Sequence, residues 1–308
     1  MQLVIASSSA PVQPTWHRFF GTLALGAVCL LGTVAAFAAQ PAHLAKGLQL
    51  ADEIGALQDQ GIFTDTDGTP LNRYGGSWGS TTDASYIRFL DTAAAVRPAN
   101  NTRCAPFVTH LLKTVYNFSW SAYTFTDPLT GVVKSSASPA PYQMIALLNA
   151  GQGFAAKVTR LDQAQPGDVL LWAQAGTDEK DHAMLIVSVR LGSAKPYPSS
   201  HSAAKAEFAG TTYYEVEILD SSSSLHTADS RLVPVNGTDT HIPGLGTGTI
   251  GVLVDANFAI VGVTWSLPTS DYVAKRTGWL NGLHDRLKLK PAYAIEIGRL
   301  PAMVSVLP

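Results

Sequence analysis

Two neighbouring stretches, "QPGDVLLWAQ" (165–174) and "HAMLIVSVRL" (182–191), predict the centre of the fold. The first is a Pro-Gly turn followed by a short apolar run, which is typical of a strand that begins directly after a turn. The second is apolar on both faces over its first half, as expected for a strand inside a sheet and not at its edge. Two buried strands in succession therefore form the core from which the other elements are placed.

Further strands follow along the chain. "TTYYEVEILDS" (211–221) alternates apolar and polar residues, and "AYAIEIGRL" (292–300) predicts a final strand. "GTIGVLVDANFAIVGVTWS" (248–266) predicts a hairpin that turns near Asp255–Asn257. The stretch 191–210 is rich in Ser, Ala and Lys and predicts an exposed loop between two neighbouring strands.

The helices come earlier in the chain. Apolar residues at helical spacing predict helices over 42–60 and from Tyr142 to Asn149, and a short helix over 84–96. Helices that precede strands, with little helix between the strands, indicate an α+β fold with an antiparallel sheet of about five or six strands.

The helix after Cys104 carries the residue most suggestive of chemistry. In "NNTRCAPFVTHLL" (100–112) a polar segment leads into Cys104, and an apolar stripe begins at Phe107. Pro106 is tolerated in a helix only within its first turn, so Cys104 is expected at the helix start. A helix N-terminus favours a thiolate there, whereas a buried structural thiol is the alternative.

The N-terminal segment predicts export. Residues 19–39 carry no charge, Arg18 precedes them, and Ala36–Ala38 has the small-x-small pattern that signal peptidase recognises. We expect residues 1–38 to be a cleaved signal peptide or, alternatively, a signal anchor. Residues 39–308 are expected to form one domain, with a helical and loop segment over 39–99 and a catalytic-like core over 100–308.

Cleavage would leave Cys104 without a partner. The chain has two cysteines, and the other, Cys29, lies inside the signal segment. An unpaired thiol in an exported protein marks a candidate reactive group.

Composition and motifs argue against several classes of partner and cofactor. Charged residues make up 14% of the chain and the net charge is −2, with no basic stripe, so no nucleic-acid partner is expected. The HExxH and paired Cys-x-x-Cys patterns are absent, so no metal and no other cofactor is expected. A membrane is a partner only if residues 1–38 remain as an anchor, and the oligomeric state is not specified by any pattern.

A base and an orienting group complete a candidate catalytic set. His182 opens a buried strand and Asp220 closes the next one, so adjacent antiparallel strands would bring both to one sheet edge. A cysteine nucleophile needs such a base, and the base needs a polar group to orient it. His226 is the alternative for that third role.

The order of a helix-initiating cysteine, "QPGDVLLW" and "DHAMLIV" resembles the NlpC-type papain-like peptidases of bacterial cell walls. The similarity covers about residues 100–222 and implies a papain-like arrangement, with the cysteine helix packed on the sheet. It implies Cys104, His182 and Asp220 as a triad that cleaves amide bonds in peptidoglycan stem peptides through an acyl-enzyme, without a metal.

We therefore expect an exported, periplasmic or secreted thiol hydrolase acting on a peptide or peptidoglycan-type substrate. Two alternatives use the same fold. One is a catalytically inactive module that binds a cell-wall or protein ligand, and the other is a thiol acyltransferase.

Overall fold

The computed structural model describes residues 40–174, 181–196, 210–267 and 293–307, with the backbone of strands Tyr272–Lys275 and Gly278–Asn281. The signal segment expected at residues 1–38 lies outside the described residues. So do residues 197–209, the larger part of the loop expected at 191–210.

The predicted helices at three places are confirmed. They are α1 (Ala42–Gln58), α2 (Cys104–Tyr116) and α3 (Pro141–Asn149). Pro106 is the third residue of α2, where its missing N–H costs no helical hydrogen bond. None of the helices in the described part of the chain has the length and apolarity needed to cross a membrane.

The strands supply most of the remaining structure. They are β1 (Asn72–Tyr74), β2 (Tyr86–Arg88), β3 (Ala99–Thr102), β4 (Phe125–Thr126), β5 (Val133–Lys134), β6 (Ala156–Val158), β7 (Val169–Gln174), β8 (His182–Pro196), β9 (Thr212–Ser222), β10 (Leu232–Val235), β11 (Thr238–His241), β12 (Gly244–Val254), β13 (Ile260–Thr264), β14 (Tyr272–Lys275), β15 (Gly278–Asn281) and β16 (Tyr293–Arg299).

The main sheet has nine strands in the order β15-β14-β13-β12-β9-β8-β7-β16-β6, and every neighbouring pair is antiparallel. The predicted α+β class and antiparallel sheet are confirmed, with β8 inside the sheet as expected. The expected number of five or six strands is too low. Within this sheet, the strands that the sequence did not predict are β6, β14 and β15, which have three or four residues each and lie toward the two ends.

The prediction of a short helix over 84–96 is wrong. Tyr86–Arg88 is strand β2, which pairs antiparallel with β3, and β1 pairs parallel with β3 on its other side. The following residues form a tight turn, in which the Asp91 carboxylate accepts hydrogen bonds from the N–H groups of Ala93 and Ala94. Pairing with β3 satisfies the backbone groups that a helix would have satisfied internally, and sequence periodicity over so few residues does not separate the two.

Part of the expected loop at 191–210 is strand. β8 continues to Pro196, and its pairing with β9 shifts register between Arg190 and Lys195. Such an irregularity lets a long strand bend while its far end stays paired, which polar composition alone does not predict.

The two faces of the main sheet bury different cores. The helices cover one face, where α2 packs its apolar stripe (Phe107, Val108, Leu111 and Leu112) with Leu171, Leu185 and Leu219. The opposite face carries Leu170, Met184, Ile186, Ile218 and Ile250. This second core is enclosed because the sheet curls, and an isolated bridge joins Arg160, beyond β6, to Ala259 before β13.

The Pro-Gly turn before β7 is fixed by Asp168. Its buried carboxylate accepts the Gln165 N–H at 2.8 Å, and Arg299 Nε and Nη2 donate to it at 2.9 and 2.8 Å. The turn is thereby joined to the end of β16.

Replacing Asp168 by Ala should lower the free energy of unfolding by about 2 kcal/mol, because the Gln165 N–H and a bidentate guanidinium both lose their acceptor. Urea unfolding followed by circular dichroism measures the change. The matched control is Asp162→Ala, which breaks the more exposed pair with Arg160 and should cost about 0.5 kcal/mol. Equal effects of the two substitutions would contradict the role of Asp168.

Candidate active site

Cys104 is the first residue of α2. Arg103 before it is extended, with φ −85° and ψ 177°, so the chain enters the helix sharply at this point. The Cys104 side chain is 6% exposed, and its Sγ lies 3.8 Å from the carbonyl oxygen of Asp181. The thiol thus lies beside the residue from which β8 begins.

His182 is the first residue of β8, as expected, and is also 6% exposed. Its Nε2 lies 2.6 Å from Asp220 Oδ2. The register Leu185↔Leu219 explains this contact, because side chains alternate along a strand and His182 and Asp220 therefore share a face as diagonal neighbours.

His182 interacts with both Cys104 and Asp220. Burial lowers the pKa of His182, but the Cys104 charge, the hydrogen bonds to Asp220 and Cys104 and the Asp220 charge outweigh it and raise that pKa to about 9. Since Nε2 contacts Asp220, Nδ1 is the ring nitrogen left to interact with Cys104. With a pKa of about 9, the ring is an imidazolium at neutral pH.

Asp220 is fully buried and close to three basic side chains. Besides His182, His226 Nε2 lies 3.0 Å from Oδ2, and Arg231 Nη1 forms an ion pair with Oδ1 at 3.2 Å. Burial raises the pKa of Asp220, but Arg231, His226 and the hydrogen bonds from both histidines hold it well below its usual range. The carboxylate is ionised because the protein places positive charge around it.

The structure separates the two candidates for the third role. Asp220 contacts His182 directly, whereas the described contact of His226 in this cluster is with Asp220. His226 therefore contacts the residue that orients His182, and it does not occupy the orienting position itself.

Arg231 is a member of the site that the sequence did not single out. It is 1% exposed, and its Nε and Nη2 donate to the Asp229 carboxylate at 2.8 and 2.6 Å. Asp229 also accepts the His226 backbone N–H at 2.7 Å. One loop after β9 therefore carries His226 and Arg231, two of the three basic side chains around Asp220. Nothing in "DSRLVP" signals the placement of Arg231.

Tyr74 is a second member missed from sequence. It ends β1 in "NRYGGSW", and burial together with the charges of Cys104 and Asp220 raises its pKa, while Arg103 opposes them. The phenol of Tyr74 therefore stays protonated at neutral pH. The Tyr-Gly-Gly motif upstream of the cysteine is the sequence signal that could have identified it.

Two tryptophans confine the His182 ring. The ring centroid lies 5.2 Å from that of Trp172 and 5.0 Å from that of Trp265, and the two indoles contact edge to face. Trp172 pairs with His182 across β7 and β8. Aromatic packing on both sides limits rotation of the imidazole.

A buried polar network holds the segment before Cys104 against the end of β9. Asn100 Nδ2 donates to Asn72 Oδ1 at 3.2 Å, Thr102 Oγ1 donates to Asn100 Oδ1 at 2.7 Å, and Ser221 Oγ donates to the Thr102 carbonyl at 2.7 Å. Since Ser221 follows Asp220 and Thr102 lies two residues before Cys104, this network holds the segments that carry Cys104 and Asp220 together.

The glycine-rich run in β12 makes room for these polar groups. Gly244, Gly246 and Gly248 alternate along the strand and face the Asp220 side, with Gly246 directly opposite Asp220. A Cβ at these positions would lie 2.1 Å from Asn72 Oδ1, 2.6 Å from Arg231 Cγ and 2.7 Å from His226 Cβ. Gly246 and Gly248 thus leave room for Arg231 and His226 beside the carboxylate, and Gly244 leaves room for Asn72.

No family model, curated protein or solved structure matched this chain when it was compared with each of the three. Within the described ranges no group of three or more His, Cys, Asp or Glu residues is arranged to hold a metal ion. The functional interpretation of the protein therefore depends on the arrangement of the residues around Cys104, His182 and Asp220.

Gly246→Ala should lower the free energy of unfolding by about 1–3 kcal/mol, because Arg231 is buried and held at both ends and cannot retreat from the new methyl group. Thermal or urea unfolding measures this change. Gly192→Ala in exposed β8, where a Cβ meets no atom within 4 Å, is the control and should change little. The same loss in both variants would exclude the proposed steric reason.

His182 should keep its proton until about pH 9, and Cys104→Ala should lower that pH because the thiolate charge and hydrogen bond are removed while burial remains. Histidine side-chain NMR across pH measures both titrations. The signal of His43, which is bonded to Tyr116 and Gly167, serves as the internal reference. A His182 titration that is unchanged in Cys104→Ala would show that the two side chains are not coupled.

Proposed function

We propose that this protein is an exported thiol hydrolase that cleaves an amide bond through an acyl-enzyme. Cys104 is the nucleophile, His182 the general acid and base, and Asp220 the group that orients His182. The observation that carries this proposal is the placement of His182, whose Nε2 lies on the buried Asp220 and whose pKa is raised by its interaction with Cys104 at a helix start.

Acylation begins from the thiolate–imidazolium pair. The Cys104 thiolate attacks the substrate carbonyl carbon, and the carbonyl π electrons move onto oxygen. The Cys104 N–H is among the first amides of α2, which have no acceptor within the helix, and the positive end of the helix dipole favours the oxyanion there. His182 then gives its proton to the leaving nitrogen as the C–N bond breaks.

Deacylation uses the same base. Neutral His182 takes a proton from water as the water oxygen attacks the thioester carbonyl, and the C–S bond breaks to regenerate the thiolate and imidazolium. Asp220 keeps the ring oriented throughout and stabilises its positive charge, and Trp172 and Trp265 limit the alternative orientations.

The substrate class we propose is a peptide amide of the peptidoglycan type. Support comes from the residue order, which resembles that of the NlpC-type cell-wall peptidases. That resemblance also implies a papain-like arrangement. The export segment and the antiparallel sheet that carries His182 and Asp220 on one face agree with this proposal. The substrate would approach at the edges of Cys104 and His182, which are 6% exposed each.

The same residues serve a thiol acyltransferase, in which an amine or alcohol replaces water in deacylation. The third possibility, an inactive module, would bind a cell-wall or protein ligand at the same place without turnover. Products distinguish these activities, because hydrolysis yields a free carboxylate and transfer yields a new amide or ester.

The test is digestion of purified sacculi and stem peptides by the full chain, with mass spectrometry of the products. Cys104→Ala should abolish release of new amines, and Asp220→Asn should lower kcat at least about 100-fold, since His182 loses the anion that holds its orientation. Asp239→Asn, on β11, is the matched control and should retain wild-type rates.

Three outcomes decide the proposal. Cleavage by the wild type that Cys104→Ala removes supports it. Full activity in Cys104→Ala would remove Cys104 as the nucleophile, and binding of stem peptides without any cleavage by the wild type would favour the inactive module.

A further inference from the structure

His226 lies between two groups that only accept hydrogen bonds. Its Nδ1 is 3.0 Å from the carbonyl oxygen of Trp265, and its Nε2 is 3.0 Å from Asp220 Oδ2. A neutral imidazole carries one proton, so one of these nitrogens would face an acceptor lone pair with its own lone pair. Both contacts are favourable only when the ring carries two protons and is positively charged.

The charges around His226 favour that state. Asp220 faces it from β9, and Asp229, which binds its backbone N–H, lies three residues along the chain. The opposing charges are Arg231, shared between Asp220 and Asp229, and the His182 ring on the same Asp220 oxygen. Asp220 contacts the His226 ring and Asp229 its backbone N–H, whereas Arg231 and His182 contact these carboxylates and not the ring.

Contacts on several sides hold the His226 ring in one position. Its backbone N–H is bonded to Asp229, its plane packs on Trp265 with centroids 4.3 Å apart, and Gly248 on β12 leaves the space that its Cβ occupies. His226 is 6% exposed, so this histidine has little freedom to turn toward solvent.

We propose that His226 is a positioning residue, a second imidazolium that shares Asp220 Oδ2 with His182 and divides the negative charge of that carboxylate between two rings. The inference rests on the proposed roles of Cys104 and His182. Its consequence is twofold. His226 fixes the carboxylate against which His182 is oriented, and its charge limits how strongly Asp220 holds the proton on His182.

The first measurement is made on the wild-type full chain and needs no substrate. Ring ¹⁵N spectra at pH 7 should show both nitrogens of His226 protonated, whereas a structural histidine held by one hydrogen bond would show one protonated and one bare nitrogen. A bare nitrogen at His226 would overturn the proposal.

The second measurement compares variants. His226→Asn keeps a donor for Asp220 and removes the charge, so the pH at which His182 loses its proton should rise by about one unit. His226→Leu removes the donor as well, and alkylation of Cys104 by iodoacetamide at pH 7 should become about tenfold slower because Asp220 no longer holds His182 in place. Peptide mass spectrometry separates Cys104 from Cys29.

Controls and contradictory results are defined by the same assays. His241→Asn, a histidine near Arg231 that does not contact Asp220, should leave both readouts at wild-type values. An unchanged His182 titration in His226→Asn, or alkylation equally slow in His226→Asn and His226→Leu, would show that His226 acts only by packing. None of these readouts depends on turnover, so a failure to find hydrolysis is distinguished from a failure of this inference.

Discussion

The structure around the candidate site depends on keeping one fully buried carboxylate ionised. An isolated charge in such a place costs far more than folding can supply, so Asp220 must be surrounded by positive charge and donors. His182, His226 and Arg231 provide these, at 2.6, 3.0 and 3.2 Å. The conformation of the loop after β9 follows from that need.

Placing those groups requires space that a sheet does not normally offer. Side chains on β12 would project into the layer occupied by Arg231 and His226, and the alternating glycines remove them. Glycine is a poor strand former because it loses more backbone entropy and buries no side chain. The strand keeps its place since it pairs on both sides, with β9 and with β13, so the tertiary structure offsets what the local sequence lacks.

The sequence predicted much of the site for reasons that can be named. Pro106 fixes the start of α2, and an apolar run beginning at His182 identifies a buried strand, so the positions of Cys104 and His182 at the starts of these elements follow from local rules. Arg231 and the true place of His226 could not be found in this way, because no local pattern encodes a partner across the sheet. The expected helix at 84–96 failed for a related reason, since pairing with β3 decided its conformation. The strands β6, β14 and β15 are too short for alternation to reveal.

By itself, then, the sequence determined the α+β class, the antiparallel strands at the centre, and the position of Cys104 at a helix start. These depend on hydrophobic periodicity, proline and turn chemistry, which act over a few residues. Only the tertiary structure decided that Asp220 contacts His182, that His226 stands behind it, and that Arg231 neutralises the same carboxylate. Strand register and the curl of the sheet set those distances, and both arise from contacts between residues far apart in the chain.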